Sequence, residues 1–324
     1  MKTLRDLLQS WMDKWRSLDQ RVKTALQWLG RLLMGAAFVY IIWLLVRDGQ
    51  ALFEIDWLPF LPATVGVMIL YMLSLGLQYF AWTRLLSFQR KAGWLDFAIF
   101  ARIVVMKRLP GGVWHWVGRA SLYNTSTQVP TRTVMIANFL EIILIVLVST
   151  SFLLPGLADF PPLLGWLLSL LAMAAAVVIS VIWVRDQAGA KLGWRHDLGQ
   201  ALLWLGSYAG CLLLGAWILL LYGQAGGAAS LTFSLALNAW AIAAAISYLI
   251  VFVPAGLGIR ELTFVMVLGP YLPATTGLVI GVLIRLAFTL ADVIWGLAGW
   301  GFGEWMHRRG LAREKQNSLS EDRE

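Results

Sequence analysis

The residues best placed to do chemistry are charged side chains set beside breaks in apolar runs. One segment reads Arg108-Leu-Pro110-Gly111-Gly112-Val-Trp-His-Trp-Val-Gly-Arg119, and another reads Val-Pro254-Ala-Gly256-Leu-Gly258-Ile-Arg260-Glu261. Proline removes a backbone donor and glycine favours turns, so both segments interrupt a helix. In hydrocarbon, unsatisfied backbone and fixed charge are costly; a charge at the bilayer centre costs about 2.5–3.5 kcal/mol on insertion scales. Such elements persist where they are buried in protein or line a wet cavity. Arginine suits phosphate through its planar fork of donors, and lysine through point charge. Arg108 and Arg119 are therefore candidates for an anionic ligand, while Arg102 and Lys107 read as interfacial snorkelling residues. Glu141, Arg285 and Asp292 lie inside apolar runs, and for them ion pairing and a role in transport both stand open. Arg285 and Asp292, seven apart, share a helix face. If transport is proton-coupled, Glu141 and Asp292 are the candidate carriers.

The elements that must position these groups are transmembrane helices. The 324-residue chain is 59% hydrophobic and only 14% charged, which excludes an ordinary soluble domain. Long apolar runs cover roughly 28–46, 59–82, 134–154, 162–184, 199–222 and 275–303. The broken regions are 96–124 and 231–271. Residues 1–27 place Leu4, Leu7, Leu8, Trp11, Trp15, Leu18 and Val22 at helical spacing opposite Lys and Arg, an amphipathic helix on the membrane surface or on the protein. No cleavable signal peptide is expected there. Most of the 18 tryptophans are expected at the membrane interface. The single Cys211 and three scattered histidines offer no disulfide and no metal-ligand spacing, so neither metal nor cofactor is expected.

Basic residues fix the orientation. Lys2 to Lys23, Arg84 to Lys91, Arg185 to Arg195 and Arg308 to Lys315 alternate with loops poor in Lys and Arg, which predicts that both termini are cytoplasmic. Parity then makes 96–124 a re-entrant helical hairpin from the inside. It makes 231–271 one from the outside, although 231–253 could instead span alone within eight full crossings. The expected fold class is an all-α polytopic membrane protein with about six full spans and two re-entrant hairpins, eight helical membrane segments in all. Each half has the order two spans, hairpin, span, an inverted-topology repeat. The expected organisation is 1–27 helix, 28–154 first repeat, 155–303 second repeat, and a disordered cytoplasmic tail at 304–324.

At the Pro-Gly-Gly…Gly-Arg segment (110–119), Glu141 and Pro-Ala-Gly-Leu-Gly-Ile-Arg-Glu (254–261), the chain resembles the flippase-like family named after the transmembrane region of lysylphosphatidylglycerol synthase. The resemblance covers most of 28–303. It implies an integral protein of a bacterial cytoplasmic (inner) membrane that handles lipid headgroups. The large soluble aminoacyl-transferase domain of bifunctional members is missing from the sequence, so lipid aminoacylation by this polypeptide is not expected. The leading expectation is a lipid translocase for an anionic or phosphate-bearing headgroup, such as a polyprenyl-phosphate sugar or a modified phospholipid. The expected ligand-binding residues are Arg108, Pro110, Gly111, Gly112, Arg119, Glu141, Pro254, Gly256, Gly258, Arg260, Glu261, Arg285 and Asp292. The alternatives are a membrane glycosyltransferase using Glu54-Ile-Asp56 in the first outer loop, and a non-transporting partner of a lipid-modifying enzyme. No nucleic-acid partner is expected.

Overall fold

A computed structural model describes residues 56–86, 93–107, 114–153, 161–188, 194–249 and 259–321, with Val39 and Val46 as isolated helical positions. The described residues are helical throughout, without strands. Nine helices follow in order: α1 (Phe60–Leu85), α2 (Trp94–Met106), α3 (Trp114–Thr127), α4 (Thr131–Leu153), α5 (Pro162–Ala188), α6 (Trp194–Ala225), α7 (Phe233–Leu249), α8 (Ile259–Leu268) and α9 (Ala274–Glu321). Among the described residues, α1, α4, α5, α6 and the first part of α9 are long and apolar enough to cross a membrane. The chain is thus a helical membrane protein. The amphipathic segment 1–27 and all but two positions of the first apolar run lie outside the described residues.

Both broken regions fold as pairs of short helices. At 1.5 Å per residue, the 13-residue α2 is about 20 Å long and the 14-residue α3 about 21 Å. The 17-residue α7 is about 26 Å and the 10-residue α8 about 15 Å. All four fall short of the roughly 30 Å hydrocarbon core. Of the arm that could span alone, the described helix covers Phe233–Leu249. At the other end, α2 begins where the Gly93 N–H donates to the Asp96 carboxylate (2.7 Å), which satisfies one of the free amides of a helix start.

The two halves interlock. Helix α2, from the first broken region, packs mainly on α9, the last helix of the second half. Helix α7, from the second broken region, packs mainly on α4, the last described helix of the first half. The most extensive contact joins α1 and α6. Small residues make these approaches possible, since in lipid helices associate through close packing rather than hydrophobic expulsion. A Cβ on Gly299 would overlap the Ala101 side chain, and one on Gly296 would overlap Val105. The alanines of α7 (Ala236, Ala239, Ala241, Ala243, Ala244 and Ala245) are all buried, as their small size predicts.

One expectation changes. The last helix does not stop near 303: α9 continues to Glu321, because 304–321 is rich in Glu, Arg, Lys, Leu and Ala and contains no proline. Some of the tryptophans are core residues instead of interfacial ones. Trp82, Trp183 and Trp204 are among the largest fully buried side chains, filling the core between helices. Trp82 reaches inward because its indole N–H donates to the Tyr123 hydroxyl (2.9 Å).

Candidate functional site

The two halves enclose a cavity of about 220 Å³, lined by every described helix except α5. Its walls combine aromatic faces with polar groups. Lys107 stands at the end of α2, His115 and Trp116 in the first turn of α3, Ser247 and Tyr248 at the end of α7, and Arg260 in the first turn of α8. These described residues flank both broken segments and line one cavity. Tyr71, Ser74 and Gln78 enter from α1, Tyr208 and Cys211 from α6, and Asp292 from α9. The α1 set recurs at i, i+3 and i+7, one face of that helix.

Helix ends explain part of the placement. A cation is favoured at a helix C-terminus, where Lys107 sits. Its ammonium donates to the Gln78 carboxamide (3.3 Å) and lies 5.9 Å from the centre of the Phe100 ring. At the start of α8 a carboxylate is favoured and a cation is disfavoured. Glu261 satisfies that preference; Arg260 opposes it and is retained against the local dipole. The Arg260 guanidinium lies 5.4 Å from the Trp240 ring, close enough for cation–π attraction. Trp240 in turn fits because Gly215 presents no side chain: a Cβ there would overlap the indole. The Tyr71 hydroxyl donates to the Asp292 carboxylate (2.8 Å), and Tyr71 stacks on Phe288 with ring centres 3.6 Å apart. Asp292 is buried at 1% exposure.

The remaining described charged candidates form two ion pairs that are not part of the cavity lining. Arg119 Nη1 donates to Glu141 (2.7 Å) and to the Asn138 carboxamide oxygen (3.0 Å), with its guanidinium 3.9 Å over the Trp82 ring. Arg285 Nε lies 2.9 Å from the Glu261 carboxylate. Each pair ties the second short helix of a broken region to the long helix that follows it. The polarity is exchanged: arginine on α3 and glutamate on α4 in the first half, glutamate on α8 and arginine on α9 in the second.

Of the sequence-derived candidates, Arg260 and Asp292 line the cavity. Arg119, Glu141, Glu261 and Arg285 occupy the two pairs. Arg108, Pro110, Gly111, Gly112, Pro254, Gly256 and Gly258 lie outside the described residues. Although Arg285 and Asp292 share a helix, their partners differ, one on α8 and the other on α1. Sequence reading placed Lys107 at the interface and missed Tyr71, Gln78, Tyr208 and Tyr248. Polar residues at i, i+3 and i+7 within the apolar run of α1 were the available signal for that helix. Of the acidic pair suggested for glycosyl transfer, Glu54 lies outside the described residues. Asp56 is exposed and accepts the Leu58 N–H (3.0 Å). Among the described residues no cluster of His, Cys, Asp or Glu could hold a metal ion.

No family model, curated protein or solved structure matches the chain.

Proposed function

We propose that the protein is a lipid translocase that admits an anionic or phosphate-bearing headgroup into the cavity between its two halves. The observation that carries this reading is the convergence of helix ends flanking both broken segments on one polar, aromatic-lined cavity holding Lys107 and Arg260 within a bundle of membrane-crossing helices. Discontinuous helices meeting at such a cavity suit a substrate that must leave water and cross hydrocarbon. Lys107 and Arg260 supply charge-assisted donors for phosphate, while Trp116 and Trp240 supply flat apolar walls. The resemblance to the flippase-like family points the same way.

In this reading the two short-helix pairs are re-entrant hairpins entering from opposite sides, and the halves are an inverted repeat. The exchanged packing of α2 on α9 and α7 on α4 supports a two-fold relation. The exchanged ion pairs support it further. In this reading both termini face the cytoplasm, which the distribution of Lys and Arg among the loops supports, and the membrane is a bacterial inner membrane. Arg119 and Glu141 hold the first hairpin on α4, as Glu261 and Arg285 hold the second on α9. These four residues position the hairpins, and Arg260 contacts the ligand.

The test is translocation of fluorescent lipids in proteoliposomes across a panel of phosphatidylglycerol, aminoacylated phosphatidylglycerol and polyprenyl phosphates with and without a sugar. At least one member moves faster than in empty liposomes, and Arg260→Met abolishes the difference. If no member moves faster than in empty liposomes, the translocase reading falls.

A further inference from the structure

We propose that one face of α6 carries a file of water molecules from the first turn of the helix to the cavity, a polar route separate from the one a lipid takes. Four side chains mark it: Asp197, Gln200, Trp204 and Tyr208, at i, i+3, i+7 and i+11. They fall within about 80° of the helix circumference and cover about 17 Å of its length. Asp197 stands in the first turn, where the Nε of the exposed Arg185 donates to its Oδ2 (3.0 Å). Tyr208, at the other end, lines the cavity. Trp204 between them is fully buried, and Asp197 and Tyr208 are nearly so. Each of the four keeps one buried polar atom without a hydrogen-bond partner among the described residues: Asp197 Oδ1, Gln200 Oε1, Trp204 Nε1 and Tyr208 Oη. His196 Nδ1, at 4.0 Å from Asp197 Oδ1, is beyond hydrogen-bonding reach.

A buried polar group left unpaired is costly, so such groups are rare and call for a reason. Helix α1, the main neighbour of α6, obeys that rule. Thr64 shares a hydrogen bond with Tyr222 (2.9 Å), Tyr71 donates to Asp292, Gln78 accepts from Lys107 and Trp82 donates to Tyr123. Unpaired buried atoms occur singly or in twos on other helices, whereas α6 sets four of them in one line. Their chemistry selects the occupant. Carboxylate and carboxamide oxygens only accept, an indole N–H only donates, and a phenol does either. A cation would serve the oxygens alone and an anion the N–H alone; water serves all four. Successive groups lie about 4.5–6 Å apart along the axis, the reach of one or two hydrogen-bonded waters, so about six waters make up the file. The proposed function gives the route a use: a headgroup entering the cavity displaces water, which leaves along α6 and returns after release. That use rests on the cavity being the headgroup site; the file itself does not.

Hydroxyl-radical footprinting of the full-length protein in nanodiscs, with no added substrate, tests the file. Radicals made from water by an X-ray pulse oxidise the aromatic side chains that touch that water. The control is internal: Trp82 and Tyr123 are as buried as Trp204 and Tyr208, but bond each other (2.9 Å). Trp204 and Tyr208 are expected to be oxidised about tenfold faster than Trp82 and Tyr123, the scale of one net hydrogen bond in water occupancy. Trp204 is the deciding residue, since it is not part of the cavity lining. Mixing with isotopically labelled water just before the pulse is expected to carry the isotope into the Trp204 product, because a file joined to the surface exchanges quickly. Gln200→Leu removes an acceptor near the start of α6 and is expected to lower Trp204 oxidation at least about threefold while leaving Trp82 unchanged. Trp204 oxidised no faster than Trp82 would overturn the file, even with Tyr208 labelled from the cavity. So would a Trp204 product without the isotope, which marks trapped waters, or an unchanged Trp204 rate in Gln200→Leu. The wild-type comparison decides if that variant does not fold. A silent Trp204 leaves the translocase reading untouched, and a failure to move lipid leaves the file standing.

Discussion

The two halves place an arginine shortly after each backbone break, and the two arginines do different work. In the first half Arg119 is 2% exposed and is consumed by Glu141, Asn138 and the face of Trp82. In the second half the glutamate next door takes the pairing with Arg285, and Arg260 lines the cavity. In the proposed function the first half's arginine holds a hairpin, whereas the second half uses a glutamate for that task and Arg260 meets the ligand. A duplicated pattern of residues therefore does not imply duplicated roles. What repeats is an ion pair between a short helix and the helix after it, and either sign of charge can sit on either side.

The comparison breaks first at Arg119. Arg119→Met leaves the partly buried Glu141 without its partner and is expected to lower stability by about 3 kcal/mol. Thermal unfolding in detergent measures this, and adding Glu141→Leu recovers most of the loss. The second pair is less enclosed, with Arg285 at 22% exposure, so Glu261→Gln costs less, about 1–3 kcal/mol. A loss in Glu261→Gln as large as in Arg119→Met would contradict the difference in burial.

Next in size is the effect at Arg260. Arg260→Met removes a charge-assisted contact and is expected to slow headgroup translocation about 10–100-fold with little change in unfolding temperature. A large drop in unfolding temperature would instead make Arg260 a structural residue like Arg119. Gly215→Val tests the wall behind it. The added side chain meets the Trp240 indole, and overpacking of this kind costs about 1–3 kcal/mol while displacing the cation–π partner of Arg260. The smallest effect belongs to Asp56→Asn. Asp56 is exposed and only accepts the Leu58 N–H, so stability changes by less than about 0.5 kcal/mol and translocation persists. Loss of sugar transfer in that variant would revive the glycosyltransferase alternative.

Much of this arrangement was legible in the residues. Apolar length marks α1, α4, α5, α6 and α9, and proline and glycine mark both interruptions. The alanines of α7 foretell its close packing. The partners of the charges were not legible. Arg119 and Glu141 are 22 residues apart, and only the turn at 128–130 brings them together. Arg260 and Glu261 are adjacent in sequence, so composition cannot say which faces the cavity; the rotation of about 100° per residue on α8 decides it. Lys107 looks like any lysine at a helix end until Gln78, 29 residues earlier, is seen to accept its hydrogen bond. Trp82 and Trp204 lie in the core because helix packing, rather than the preference of indole for the interface, fixes their position.

The most direct measurement compares initial translocation rates of a fluorescent headgroup lipid at matched amounts of folded protein for two variants. One is Arg119→Met with Glu141→Leu, which removes the first-half pair whole; the other is Arg260→Met. The account predicts that the paired variant stays within about threefold of wild type, the spread expected when no ligand contact is lost, while Arg260→Met falls about 10–100-fold. Equal losses, or a larger loss in the paired variant, would contradict the division of labour between the two arginines.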